Sequence, residues 1–284
     1  MSKKEKSEAP LVLVRKEVKN LLRLCDVKEF PTPIDDLIES SKLGCESYDL
    51  EEAGFLKKIG KKLKEKALKA FEKIRAFLNV RERQILIDKG IHYAKKPFAK
   101  LHELGHFRIK WHRDILYVCS ELDLDFKTRI EMEKEANVFA AEAIFQGEKF
   151  AKMSAQFPLH MNTVIKLSSL CGGSIESTAR RFVETSNHNC ALAVLRPVPS
   201  PAEFGETALE PIYHIYSESF LKKFGRIKLM NHFPSDHPIS RIVNEASFED
   251  VLEIEGLINK KLVKIQTFHN GYRVFALIIG GKNK

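Results

Sequence analysis

The segment Leu101-His102-Glu103-Leu104-Gly105-His106-Phe107 sets two histidines four residues apart, with a glutamate directly after the first. Positions four apart lie one above the other on a helix, so both imidazoles reach a single ion only if this stretch is α-helical. Pro97 suits a first helical turn, and Phe98, Leu101, Gly105 and Ile109 give such a helix an apolar or small face to pack on. This HExxH arrangement is the geometry of a zinc hydrolase, in which the glutamate stays close to the metal without binding it.

A catalytic zinc takes three protein ligands and keeps one position open for water, so the helix needs a partner that carries another His, Asp or Glu. The run from Glu131 to Glu142 is strongly helical, and Met132, Ala136, Phe139, Ala140 and Ala143 mark its buried stripe. Glu133 and Asn137 sit one turn apart beside that stripe, where an inward carboxylate is costly unless a cation meets it. Glu131, Glu135 and Glu142 are expected on the solvated side. His92, His112 and Glu135 compete with Glu133 for the third ligand position. His112, six residues after His106, lies too far round the helix to share its face and reads as a helix-end residue.

Taken together, His-Glu-Leu-Gly-His at 102–106 and Glu-x-Glu-Ala-Asn-x-Phe-Ala-Ala-Glu at 133–142 resemble the ImmA/IrrE family of metallopeptidases, which have a gluzincin-like zinc core. The resemblance spans roughly Leu11 to Pro197. It departs at Ala143-Ile144-Phe145-Gln146, where the family usually continues Leu-Leu-Met-Pro. It implies His102, His106 and Glu133 as ligands of Zn2+, with Asn137 orienting a ligand histidine, a role zinc chemistry calls for independently. It also implies a protein substrate, since such proteins look like regulators that cut a helix-turn-helix transcriptional repressor in response to stress or mobile-element signals.

The 284 residues carry a net charge of +9, which raises the question of nucleic acid. Between Lys57 and Arg75, however, nine basic residues stand against Glu65 and Glu72, so most of the excess belongs to one segment. Phe55, Ile59, Leu63, Ala67 and Phe71 recur every fourth position and predict a basic amphipathic helix over 55–75. It would cover a flank of the core, or else face an acidic partner or a nucleic-acid backbone. The five cysteines, Cys25, Cys45, Cys119, Cys171 and Cys190, show no metal-ligand pair spacing and point to reduced thiols. No apolar run approaches membrane-spanning length, and the lysine-rich start lacks a signal-peptide core. A soluble, cytoplasmic protein without a membrane partner is expected.

The predicted fold is α+β, in three parts. Residues 1–150 read as a mainly helical zinc-peptidase core with a small sheet: helices at Leu11 to Leu24 and Ile34 to Ser41, and extended runs at Cys45 to Tyr48, Arg75 to Val80 and Arg83 to Asp88. A peptide substrate could pair with the last of these. Residues 151–200 read as a helix-turn-helix-like segment and linker. Met161 to Leu170 and Ser174 to Glu184 are split by Cys171-Gly172-Gly173, and Pro197 to Pro201 form the linker. Such a helix pair leaves DNA binding open. Residues 201–284 read as a small α+β sensory or recognition domain. It has strands at Tyr213 to Tyr216, Leu262 to Gln266 and Tyr272 to Ile279, a helix at Phe248 to Ile258, and a hairpin turning at Asn270-Gly271.

These readings converge on a zinc-dependent endopeptidase in which the metal activates a water and polarises the scissile carbonyl. Glu103 acts as the general base. His92, Tyr93, His112 and Tyr117 are the nearby candidates for an oxyanion donor. The alternative is a non-catalytic, zinc-containing regulatory protein that binds a repressor or DNA; it would have a metal closed by four protein ligands.

Overall fold

The computed structural model describes residues 3–49, 76–118, 124–200, 206–227, 231–244, 251–258 and 261–281. The basic helix expected over 55–75 lies outside them. Contacts divide the chain into two compact units, Met1–Phe150 with Leu170–Gly173, and Ala151–Ser169 with Ser174–Lys284.

In the first unit, helix α1 (Lys3–Leu24) sets Val14, Val18 and Leu21 on one buried face at helical spacing. Helix α2 (Ile34–Ser40) buries Leu37 and Ile38. Strands β1 (Gly44–Tyr48), β2 (Ala76–Asn79) and β3 (Gln84–Asp88) form a sheet in the order β1-β3-β2. β1 runs parallel to β3 and β2 antiparallel to it. Because β3 pairs on both sides, it has no free edge, and the expectation that a peptide adds along Arg83 to Asp88 is corrected. The apolar Ile85 and Ile87 mark it as a central strand. Among the described residues the open edges belong to β1 and β2.

Helix α3 (Lys96–Arg108) has Pro97 in its first turn and stops where Ile109 becomes extended, at φ −74° and ψ 109°. Helix α4 (Lys110–Val118) restarts immediately in a new direction. Helix α5 (Phe126–Phe145) is capped by Asp125, whose carboxylate accepts from the backbone N–H groups of Lys127 and Thr128. Its buried residues include Met132, Ala136, Phe139, Ala140 and Ala143, the stripe expected from the sequence. It ends on Gln146, which adopts the left-handed conformation, at φ 50° and ψ 41°. Gln146 Nε2 donates to the Glu29 carbonyl at 2.7 Å and to Thr32 Oγ1 at 3.1 Å, while Thr32 Oγ1 donates to the Ala143 carbonyl at 2.8 Å. The residues that replace Leu-Leu-Met-Pro thus close the helix with a left-handed polar cap tied to the α1–α2 connection.

α3 packs against β2, β3 and α5, and α1 packs against α5. The closest approach is at Gly105, where an added Cβ would stand 3.1 Å from the Cβ and Cγ of Phe139. Arg108 Nε fastens α3 to α1 by donating to Glu17 at 2.8 Å.

In the second unit, helices α7 (Met161–Cys171) and α8 (Ile175–Glu184), which follow α6 (Glu148–Ser154), flank the glycine turn as expected. Ser174 caps α8 by accepting from the Ser177 N–H. α8 packs on the sheet, and its Glu176 accepts hydrogen bonds from Tyr213 and Arg273. The strands are β4 (Cys190–Pro199), β5 (Thr207–Tyr216), β6 (Val251–Ile258), β7 (Lys261–His269) and β8 (Val274–Gly280). Their order is β5-β4-β8-β7-β6, with every pairing antiparallel. Helix α9 (Glu218–Phe224) adds Phe220 and Phe224 to a core with Ala191, Ala193, Val263 and Ile278. The short α10 spans Arg241–Asn244.

Two expectations about this unit are corrected. Residues 251–258 of the expected helix form β6, because Leu252, Ile254, Gly256 and Ile258 alternate with Glu253, Glu255 and Leu257 at a period that suits a strand. The expected linker at Pro197 to Pro201 is extended β-structure through Pro199. β4 pairs with β8 only over Cys190–Leu195, so the prolines fall where one side of the strand is free and a missing N–H costs no ladder bond. The hairpin around Asn270-Gly271 is present between β7 and β8.

Gly105→Val is expected to wedge α3 away from Phe139 and destabilise the chain by about 1–3 kcal/mol, as overpacking does. Chemical denaturation of parent and variant measures it.

Candidate metal centre

The close contact at Gly105 sets the register between α3 and α5, and with it the polar residues beside the apolar seam. His102 and His106 stand on successive turns of α3, and Glu133 and Asn137 on successive turns of α5. His102 Nε2 lies 3.1 Å from His106 Nε2. Glu133 reaches both rings, with one carboxylate oxygen 3.4 Å from His102 Nε2 and the other 3.3 Å from His106 Nε2. Among the described residues, this is the one group of three metal-ligating side chains gathered closely enough to share an ion.

The fit to zinc can be tested on these distances. Ligand atoms about 2.0–2.1 Å from a tetrahedral ion lie about 3.3 Å from one another, and the two histidine nitrogens and the Glu133 oxygens that face them stand 3.1 to 3.4 Å apart. Asn137 Oδ1 stands 3.1 Å from His102 Nδ1, so it can accept the proton of that nitrogen and leave Nε2 with its lone pair toward the cluster. His106 is buried, His102 nearly so, and the Glu133 side chain is 40% exposed, so the cluster meets solvent on the α5 side.

Electrostatics follow from this crowding. Burial pushes the pKa of His102 down, but Glu133, Glu103 and Asn137 more than offset it, and the net direction is up. Burial pushes Glu133 up, but hydrogen bonds and charges from His102 and His106 prevail and hold its carboxyl well below the usual range. Glu103, in the field of the same two histidines, is raised, mainly by burial.

The competing residues do not join the cluster. His92 is exposed, and its Nδ1 accepts from the Ala94 N–H to cap the 3-10 turn Tyr93–Lys95. Tyr93 and Tyr117 are 77% and 59% exposed, and the Tyr117 ring lies under the Arg81 guanidinium. His112 is corrected from a helix-end residue to a fully buried one, because the break at Ile109 turns it back against His106 with ring centroids 5.2 Å apart. Glu135 and Glu142 are corrected from solvated to buried. Glu135 accepts from Trp111 Nε1 at 2.9 Å and lies 3.2 Å from His112 Nε2, while Glu142 pairs with Arg15 at 3.4 Å. Helical spacing from His106 could not find the His112–Glu135 contact, because the helix it assumes ends at Arg108. Glu131 is exposed as expected.

Residues 59–183 match the model of the peptidase M78 family, described as an IrrE N-terminal-like domain. The match takes in both motifs and agrees with the ImmA/IrrE resemblance. Comparison with curated proteins finds no match. Among solved structures, a Mycobacterium tuberculosis transcriptional regulator is similar in fold, with a TM-score of 0.56 at 8% identity. The similarity covers 94% of this chain and 76% of that one.

The Glu133–His102 pair should make the metal-free chain's stability depend on pH. Glu133, lowered, contributes above its ordinary value of 4.5 and loses that contribution as pH falls through its folded value. His102, raised, contributes below 6.5 and loses its contribution as pH rises through its folded value. After chelator treatment, Glu133→Gln is expected to lower the melting temperature more near pH ~6 than near pH ~9. An equal loss at both would contradict the ion-pair description.

Proposed function

Since residues 59–183 carry an IrrE N-terminal-like domain of the peptidase M78 family, we propose that the protein is a zinc-dependent endopeptidase acting on a transcriptional repressor. The observation that carries this reading is the convergence, on the two matched motifs, of His102 Nε2, His106 Nε2 and the Glu133 carboxylate, which turns one oxygen to each ring, at 3.1 to 3.4 Å. His102, His106 and Glu133 would hold Zn2+. When bound, the ion supplies Lewis-acid polarisation of a peptide carbonyl and lowers the pKa of a water. Asn137 holds His102 in the tautomer that keeps Nε2 free.

Glu103 follows His102 directly and stays outside the ligand cluster. Its carboxylate takes the proton of the attacking water and passes it to the leaving nitrogen, and the upward shift from burial favours that return. A peptide held extended would add to an open sheet edge, and β2, which packs against α3, is the edge strand nearest this chemistry.

The substrate is a helix-turn-helix repressor whose cleavage switches on a stress or mobile-element response, and the site of action is the cytoplasm. No helix among the described residues is long and apolar enough to cross a membrane.

The test is metal analysis of the purified chain together with mass-spectrometric detection of new N-termini when it is incubated with candidate repressors. Glu103→Gln is expected to keep zinc while cleavage falls by about 10²–10⁴-fold, and His106→Ala to lose both. A glutamine variant that cleaves at the parent rate overturns the assignment of Glu103. A zinc-loaded parent that binds a repressor without cutting it favours the non-catalytic alternative.

A further inference from the structure

The two histidines of the cluster are supported differently. His102 has Asn137 on its outer nitrogen, but His106 Nδ1 is buried and has no hydrogen-bond partner among the described residues. Beside His106 stands the His112 ring, tilted by 41° and completely buried. His112 packs between two further neighbours, and neither of its ring nitrogens makes a hydrogen bond among the described residues. Trp111 meets it edge-on at 4.3 Å between centroids, and Glu135 brings a carboxylate oxygen within 3.2 Å of its Nε2. Trp111 Nε1 donates to that same oxygen, so the exposed Trp111 joins the buried His112 and Glu135 in one contact group.

A carboxylate buried beside a metal site on the same helix as a ligand is an expensive thing to keep unless it performs some task. Glu135 is two residues beyond Glu133 and outside the ligand cluster. What it touches is Trp111 and His112, and what His112 touches is a ligand histidine. The His112 ring packs against the His106 imidazole, whose Nδ1 lacks the hydrogen-bonded partner that a ligand histidine ordinarily has.

From this geometry we propose that His112, held by Glu135 and Trp111, is a positioning residue that orients His106 for the metal, as Asn137 orients His102. The inference rests on the zinc reading above and concerns a residue outside the ligand set. His106 would then be aligned by packing against the His112 ring, and His102 by a hydrogen bond.

The experiment titrates the full chain with Zn2+ in competition with a chromophoric chelator, and records the visible absorption of the Co2+-substituted protein. His112→Ala removes the ring against which His106 packs. It is expected to weaken Zn2+ binding by about 10–100-fold, the usual cost of losing a residue that orients a metal ligand, and to shift the Co2+ bands. Glu135→Gln, which retains an acceptor for Trp111, is expected to move both readouts the same way by less. It decides the question if His112→Ala no longer melts cooperatively.

Parent Zn2+ affinity and unchanged Co2+ bands in a folded His112→Ala, or in Glu135→Gln where the first variant fails to fold, overturn the inference and leave the zinc reading standing. A parent chain that takes up no Zn2+ overturns both. Reduced melting temperature of the metal-free variant with unaltered metal readouts assigns His112 to the core alone and also overturns the proposal.

Discussion

The contact between Gly105 and Phe139 is the constraint on which the candidate site depends. It lets α3 and α5 approach until backbone meets side chain, with an added Cβ only 3.1 Å from the phenylalanine. The approach fixes how far one helix is slid along the other, and so which polar residues meet. A slip of one helical turn, about 5.4 Å, would carry Glu133 past both histidines and break a cluster whose members lie 3.1 to 3.4 Å apart. The apolar stripe of α5, Met132, Ala136, Phe139 and Ala140, therefore has a chemical consequence: it is the ruler against which the candidate ligands are placed.

Much of this could be read from residues alone, because local rules and packing rules agree there. The HExxH spacing demands a helix, the stripe on 131–143 demands another, and burying both brings their neighbouring polar residues face to face. His102, His106, Glu133 and Asn137 meet for that reason. Three-dimensional breaks were harder to see. Nothing in the periodicity announces that α3 ends at Arg108, so residue spacing alone puts His112 on a continued helix and leaves Glu135 without a buried partner. The same limit applies to β6. Its glutamates fit an exposed helix as well as an edge strand, and only pairing with β7 decides between them.

Prolines in β4 show a complementary ambiguity. Pro197 and Pro199 read as a linker when sequence is taken one residue at a time, since each removes a ladder donor. The strand accommodates them because its second neighbour, β8, has already left off at Leu195. Whether a proline breaks a strand is thus a property of what lies beside it.

The left-handed cap at Gln146 bears on where the unit that carries the candidate site ends. Through Glu29 and Thr32 it binds the end of α5 to the segment before α2, while β1 supplies one whole side of β3 and α1 covers α5. All of these partners lie N-terminal to residue 59, where the family match begins. A fragment trimmed to residues 59–183 would bare one flank of β3 and the hydrophobic back of α5. The borders of the family match and the borders of a self-sufficient folding unit are therefore different lines in this protein, and the first forty-eight or so residues serve as masonry for a candidate site to which they contribute no member.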